Sequence, residues 1–221
     1  MTKKAESSPS LKAENAKAIW LLVSVDIIAI VLLLSGFALT KISLIELAQS
    51  TFIRWILLAA AGPLVAVFLN DLLPANIKAS IVFWRFKDAL PGHRAFSKYA
   101  EADPRIDVGA LKKKIRVIPQ SPRDQNTCWY QLFQKHQSNV IVNDAHKRFL
   151  LFRDSASLAL LILMIAGIAA LFSGVPLDVQ ALLLGGLGAQ YFWLAISARN
   201  TGIRLVQNVL ALESSDHGGK N

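Results

Sequence analysis

The stretch SASLALLILMIAGIAALFSGVPL, residues 155–177, holds 23 residues without a charge, and after Asp178 the stretch VQALLLGGLGAQYFWLAISA, residues 179–198, holds 20 more. A bilayer core about 30 Å thick needs roughly 20 helical residues, so each stretch is long enough to cross it. The Gly174-Val175-Pro176 turn predicts that the two fold back as a hairpin. Toward the N-terminus, Ala18 to Thr40 is a 23-residue run whose one charge is Asp26. This run is too long for a signal peptide and is followed by no small-residue cleavage site. Trp55 to Asn70 adds 16 uncharged residues between Arg54 and Asp71, short unless Thr51, Phe52 and Ile53 join them. The expected fold is an all-α membrane protein: four transmembrane helices in two hairpins, with a small helical cytoplasmic domain inserted between the second and the third.

The whole-chain figures agree with that division. The 221 residues are 53% hydrophobic with a mean hydropathy of +0.42, yet the net charge is +9. Both properties fit one chain when the apolar residues lie in spans and the charge lies outside them. This excludes an ordinary soluble enzyme and a disordered chain, and the single cysteine, Cys128, excludes an internal disulfide. Residues 76–154 hold 15 Lys and Arg against 7 Asp and Glu, which is +8 of the +9. Lysines and arginines flank the same side of every span, at Lys12, Lys17, Lys78, Arg85, Arg153 and Arg199, so both termini and the middle segment are expected in the cytoplasm. The expected divisions are a tail at 1–17, a first hairpin at 18–75, a basic helical domain at 76–154, a second hairpin at 155–198 and a tail at 199–221.

Within the middle segment, Ile77 to Ala89 is expected to continue the second span as a helix until Leu90-Pro91-Gly92. Val108 to Val117 reads as a short basic helix. Ser121-Pro122 reads as a helix start, with Ser at the cap and Pro at the first position. The helix that follows places Trp129, Leu132, Phe133 and His136 on one face. Val140 to Val142 is expected to be extended, with Asp144 capping a long helix that enters the third span.

Two groups of residues are candidate sites. The first is Lys112, Lys113, Lys114 and Arg116, with His93, Arg94, Arg105 and Arg123 nearby in sequence and Trp129 and Tyr130 as aromatic neighbours. Four cations in five residues favour a polyanion, and aromatic rings can stack bases beside one. Anionic lipid or a solvated face that enforces topology explains the same cluster more simply, a protein partner less so, and all these readings stay open. The second is intramembrane polarity: Asp26, Asn70, Asp71 and Gln190. A lone carboxylate in a span needs a partner or a water-filled cavity, and Asn70-Asp71 is the nearest in expected depth. Gly185 to Ala189 and Ala59-Ala60-Ala61-Gly62-Pro63 permit close helix packing and hence oligomers. There is no Walker-type loop, no GxSxG elbow and no HExxH, so no catalytic residue, cofactor or metal is expected.

Four phrases carry a resemblance: Leu90-Pro91-Gly92-His93-Arg94-Ala95-Phe96, Asp103-Pro104-Arg105-Ile106-Asp107, Gln125-Asn126-Thr127-Cys128-Trp129-Tyr130 and His146-Lys147-Arg148-Phe149-Leu150-Leu151-Phe152-Arg153-Asp154. From about Trp84 to the fourth span the chain resembles the four-span effectors of bacterial anti-phage defence systems encoded beside nucleotidyltransferases, the Hailong type among them. The resemblance implies a multi-pass protein of the bacterial inner membrane that assembles as a homo-oligomer such as a tetramer. It implies an ion channel gated by a nucleotide or short DNA oligomer from the partner nucleotidyltransferase, causing depolarisation and growth arrest during infection. The alternative is a non-channel membrane adaptor whose basic domain recruits a protein partner or anionic membrane lipid.

Overall fold

The computed structural model describes residues 11–39, 64, 66–172 and 174–216. Among them there is no strand. The helices are α1 (Leu11–Leu39), α2 (Ala66–Leu72), α3 (Ala75–Phe83), α4 (Ala100–Ala102), α5 (Val108–Ile115), α6 (Pro122–His136), α7 (Val140–Leu171) and α8 (Leu177–Ser215), with a 3₁₀ turn at Pro91–Arg94 and a π turn at Ala95–Tyr99. Helices α7 and α8 are long and apolar enough to cross a membrane, and α2 with α3 makes a third candidate if the pair is one broken span. By helix length and composition the chain is a membrane protein. Residues 40–63, which include Lys41, Glu46, Arg54 and the Ala59–Pro63 stretch of the second expected span, lie outside the described residues.

The chain divides into two compact units: Met1–Leu73 with Asp154–Trp193, and Pro74–Arg153 with Leu194–Asn221. In the first, Ile19 and Val23 of α1, Ala66 of α2, Leu158, Ala159 and Ile162 of α7, and Leu183 and Leu187 of α8 are buried. The expected turn between α7 and α8 is present. Gly174 takes φ +63° there, a conformation that costs other residues about 1 kcal/mol. The Gln180 side chain closes the turn by donating to the Val175 carbonyl at 2.7 Å.

The second unit has a core of Ala95, Phe96, Tyr99, Ala100, Ile106, Leu111, Val206 and Leu210. Its helix starts follow local chemistry. Asp107 caps α5 by accepting from the Ala110 amide at 2.9 Å, and Ser121 caps α6 by accepting from the Asp124 amide at 3.1 Å. Helix α5 ends at Arg116, which sits at φ +60°.

Three expectations are corrected. No helix runs from the second span to Ala89. Pro74 cannot donate a backbone hydrogen bond and separates α2 from α3, and α3 stops at Trp84, a left-handed residue. Val140–Val142 is helical rather than extended, because the Asn139 side chain accepts from the Ile141 amide at 2.9 Å and starts α7 there. Asp144 is therefore not a cap; it lies inside α7 and pairs with Arg148 one turn on, at 2.9 Å. Residues up to Ser215 continue α8 and bury Leu205, Val206, Val209 and Leu210.

Candidate ligand site in the basic unit

The site is built around a buried glutamine. A 3₁₀ turn running into a π turn leaves amides without helical partners. The Gln125 side chain of α6 supplies them: its Oε1 accepts from the Phe96 amide (3.2 Å), the Ser97 amide (3.1 Å) and the Ser97 hydroxyl (3.1 Å), and its Nε2 donates to the Gln120 carbonyl. The π turn is thereby tied to α6 and to the 118–120 segment. Gly92 is required beside this contact, since a Cβ there would run into Asn126 Oδ1 and stand 2.9 Å from the Trp129 ring. Asn126 Oδ1 and Trp129 Nε1 are themselves buried without a hydrogen-bond partner among the described residues.

Between the π turn, α5 and residues 118–120 lies a cavity of about 200 Å³. Phe96, Val108, Leu111, Ile118 and Pro119 form its apolar walls, and Ser97, Lys112 and Gln120 supply polar groups, with Glu101 as the one acid on the lining. An apolar slot with a few convergent polar groups suits a planar organic group attached to something charged.

The structure sorts the expected cations into two kinds. Lys112, Lys113, Arg116 and Arg123 are exposed and make no ion pair among the described residues. The others hold the fold. Lys114 donates to the Glu213 carbonyl at 2.6 Å and to the Asp216 carbonyl, closing the C-terminus of α8. Arg105 makes a forked pair with Asp103, at 2.7 Å from Nη2, and the hydrogen bonds from Arg105 hold the Asp103 carboxyl below its usual range. Arg94 reaches the carbonyls of Asp88 and Ala89. His93 Nδ1 lies 3.0 Å from the Pro122 carbonyl. Trp129 and Tyr130 both stack on Phe133, Trp129 as part of the core margin and Tyr130 half exposed.

Sequence reasoning missed Gln125 and Glu213. Glu213, nearly buried, accepts from Lys135 at 2.8 Å and lies 2.7 Å from His136 Nε2, while Lys135 also pairs with Asp216 at 3.0 Å. Burial works to raise the Glu213 carboxyl, but the hydrogen bonds from Lys135 and His136 and the charges of Lys135 and Lys114 outweigh it and leave it below the usual Glu value. A lone Glu near the end of a helix gives no sequence signal of this kind. The other group, in the first unit, is simpler. Asp26 is buried and accepts from Gln190 Nε2 at 3.0 Å. Its partner is therefore Gln190 rather than Asn70, which is half-buried, or Asp71, which is exposed. The chain matches no family model, and no curated protein or solved structure matches it.

Proposed function

We propose that this chain is an oligomeric ion channel whose basic unit binds a nucleotide-derived anion on the cytoplasmic side and biases the pore. The topology is the four-span one, with both termini inside. The observation that carries the reading is the meeting of the cavity with α8. Leu111 lines the cavity and is buried in one cluster with Val206 and Leu210 of α8, and the same helix holds the uncharged run 179–198. A ligand seated against α5 thus acts on the packing of a helix that also belongs to the membrane part, which is what differential binding to two states needs. The exposed cations Lys112, Lys113, Arg116 and Arg123 attract phosphates, and the cavity takes a base. Phosphates neutralised by such cations release counterions, so binding weakens as salt rises.

Assembly is supported by Gly185, Gly186 and Gly188, where an added Cβ would meet nothing within 4 Å, leaving the helix open to close approach by another. The Asp26–Gln190 pair adds a hydrogen-bonded polar pair to the apolar unit, where a carboxylate needs a partner.

The test is expression of the chain in bacteria with a membrane-potential dye, with and without a co-expressed nucleotidyltransferase that makes nucleotide oligomers. The reading expects depolarisation that depends on that enzyme, and loss of the dependence in a Lys112→Glu, Lys113→Glu double variant. Lys114 is left intact because its amine holds α8. A membrane potential that stays unchanged at good expression in every condition rejects the channel. A current of the purified protein in a planar bilayer that ignores nucleotide oligomers rejects the ligand.

A further inference from the structure

The loop after α3 reads Trp84-Arg85-Phe86-Lys87-Asp88. We propose that Trp84 to Lys87 form a membrane-interface anchor that seats in the anionic headgroup layer at the inner end of the 179–198 run. Three observations lead there. Trp84 is pinned at a defined level: the Arg199 guanidinium lies 3.9 Å from the centre of its ring, and Arg199 Nη2 donates to the Phe83 carbonyl at 2.9 Å. Arg199 is the first charge after 20 uncharged residues, so the contact places Trp84 where the apolar run of α8 ends. Second, the loop projects its apolar groups outward. Phe86 is fully exposed, at 103%, and Trp84 is 47% exposed, while both Trp84 and Asp88 hold left-handed backbone conformations, φ 51° and φ 50°, that turn the chain out and back.

Third, the charges are segregated. Arg85 and Lys87 are exposed and make no ion pair among the described residues, whereas the one acid of the loop, Asp88, is turned to His93 at 3.6 Å and passes its carbonyl to Arg94. The surface left over is an aromatic pair flanked by two cations. Tryptophan prefers the headgroup level of a bilayer, and cations beside it meet anionic lipid. A single exposed phenylalanine on a soluble face would need no explanation; its place two residues from Trp84, which Arg199 holds at the end of the apolar run, is what calls for lipid.

The proposal rests on 179–198 crossing a bilayer, and not on a pore or a nucleotide ligand. It is tested on the full chain in vesicles of phosphatidylethanolamine and phosphatidylglycerol, with Cys128→Ser as background. An environment-sensitive label is placed through Phe86→Cys, through Phe192→Cys within the span, and through Lys113→Cys on the exposed face of α5. The label at position 86 is expected to be quenched by nitroxides near the lipid headgroups and several-fold less by aqueous iodide than the label at 113. The label at 192 should answer to nitroxides deep in the acyl chains. Replacing phosphatidylglycerol with phosphatidylcholine should lower the lipid quenching at 86 and leave that at 192 unchanged. Iodide quenching at 86 equal to that at 113 overturns the anchor. So does shielding from both quenchers, which would mean that protein covers the loop. Loss of deep quenching at 192 removes the span itself, and equal quenching at 86 in both lipids removes the role of Arg85 and Lys87.

Discussion

Helix α8 contains two kinds of helix in one run. From Leu177 to Trp193 it exposes large apolar side chains, with Leu182 at 67% and Trp193 at 73%, and its glycines face open space. From Leu194 to Ser215 it buries Ala195, Ala198, Leu205, Val206, Val209 and Leu210, and ties its last turn to Lys114, Lys135 and His136. The first part is apolar nearly all round and, apart from Leu183 and Leu187, exposes much of that surface, which would cost nothing against lipid. In water it would cost about 25 cal/mol for each Å². The second part carries its apolar residues on a stripe and supplies its own protein partners. Apolar composition marks a span; only the spacing of apolar among polar residues marks a core.

The largest effect that sharpens this contrast is truncation of a leucine in each part. Leu210→Ala removes a fully buried side chain from the core of the second unit and should cost about 2–5 kcal/mol. Leu182→Ala, on the exposed part, should cost less than about 1 kcal/mol. Denaturant unfolding of the protein in mild detergent, followed by circular dichroism, measures both. Similar losses at the two positions would break the distinction.

Glycines test it next. Gly92→Ala forces a methyl into Asn126 and Trp129 and should destabilise by about 1–3 kcal/mol. Gly186→Ala meets nothing and replaces a poor helix former with the best one, so stability in detergent should hold or rise slightly. If the open glycines serve assembly, the same substitution should lower the mass of the solubilised complex by light scattering.

How much of this was legible in the sequence depends on the kind of signal. The uncharged runs at 155–177 and 179–198 fixed two long helices, since absence of charge needs no knowledge of contacts. Ser121-Pro122 marked the start of α6 to the residue. The region around Pro74 was misread because Ile77 to Ala89 holds no proline or glycine; one break comes from the proline just before it and the other from the left-handed backbone at Trp84. Val140-Ile141-Val142 looked extended because branched side chains favour strands, but Asn139 offers an amide partner that starts a helix instead. The basic cluster was correctly placed on α5, yet Lys112, Lys113 and Lys114 are alike in sequence, and only the return of α8 beside α5 separates a lysine that holds the fold from two that face outward. Gln125 and Glu213 were illegible for the same reason: the groups that bond Gln125 Oε1 and the Glu213 carboxylate lie 28 or more residues away in the chain.

Acid should act on the well-tied end of α8 first. The Glu213 carboxyl lies below its ordinary value of 4.5 in the folded protein, so its stabilising contribution is complete above about that pH and is lost as the pH falls through the lower folded value. The Lys135 amine, held up chiefly by its bond to Glu213, runs the other way. Its contribution is complete below its ordinary value of 10.5 and lost only as the pH rises beyond the raised one. Glu213→Gln should cost on the order of 1 kcal/mol at neutral pH, because Lys135 is half exposed and its pair is screened. The variant should also flatten the acid limb of stability between pH 5 and 3, on the order of the ordinary carboxylate range. An acid limb of unchanged slope in the variant would assign the acid sensitivity to other carboxylates.

The smallest effect separates two neighbouring lysines. Lys114 donates to the Glu213 and Asp216 carbonyls at the end of α8, where a cation also meets the negative end of the helix dipole, a contribution of about 0.3–1 kcal/mol. Lys113 is exposed and makes no ion pair among the described residues. Lys114→Met should therefore lower stability by about 0.5–1 kcal/mol, while Lys113→Met stays within about 0.5 kcal/mol of the parent. Binding of a fluorescent oligonucleotide at low salt should show the reverse order: weakened by Lys113→Met together with a shallower salt dependence, and changed by Lys114→Met only as far as the fold loosens. Because one substitution moves stability and the other moves binding, the pair distinguishes a ligand-facing charge from a structural one even though each effect is near the limit of measurement. Equal salt slopes in the parent and in Lys113→Met would take Lys113 out of the anion site and leave Lys112, Arg116 and Arg123 to account for it.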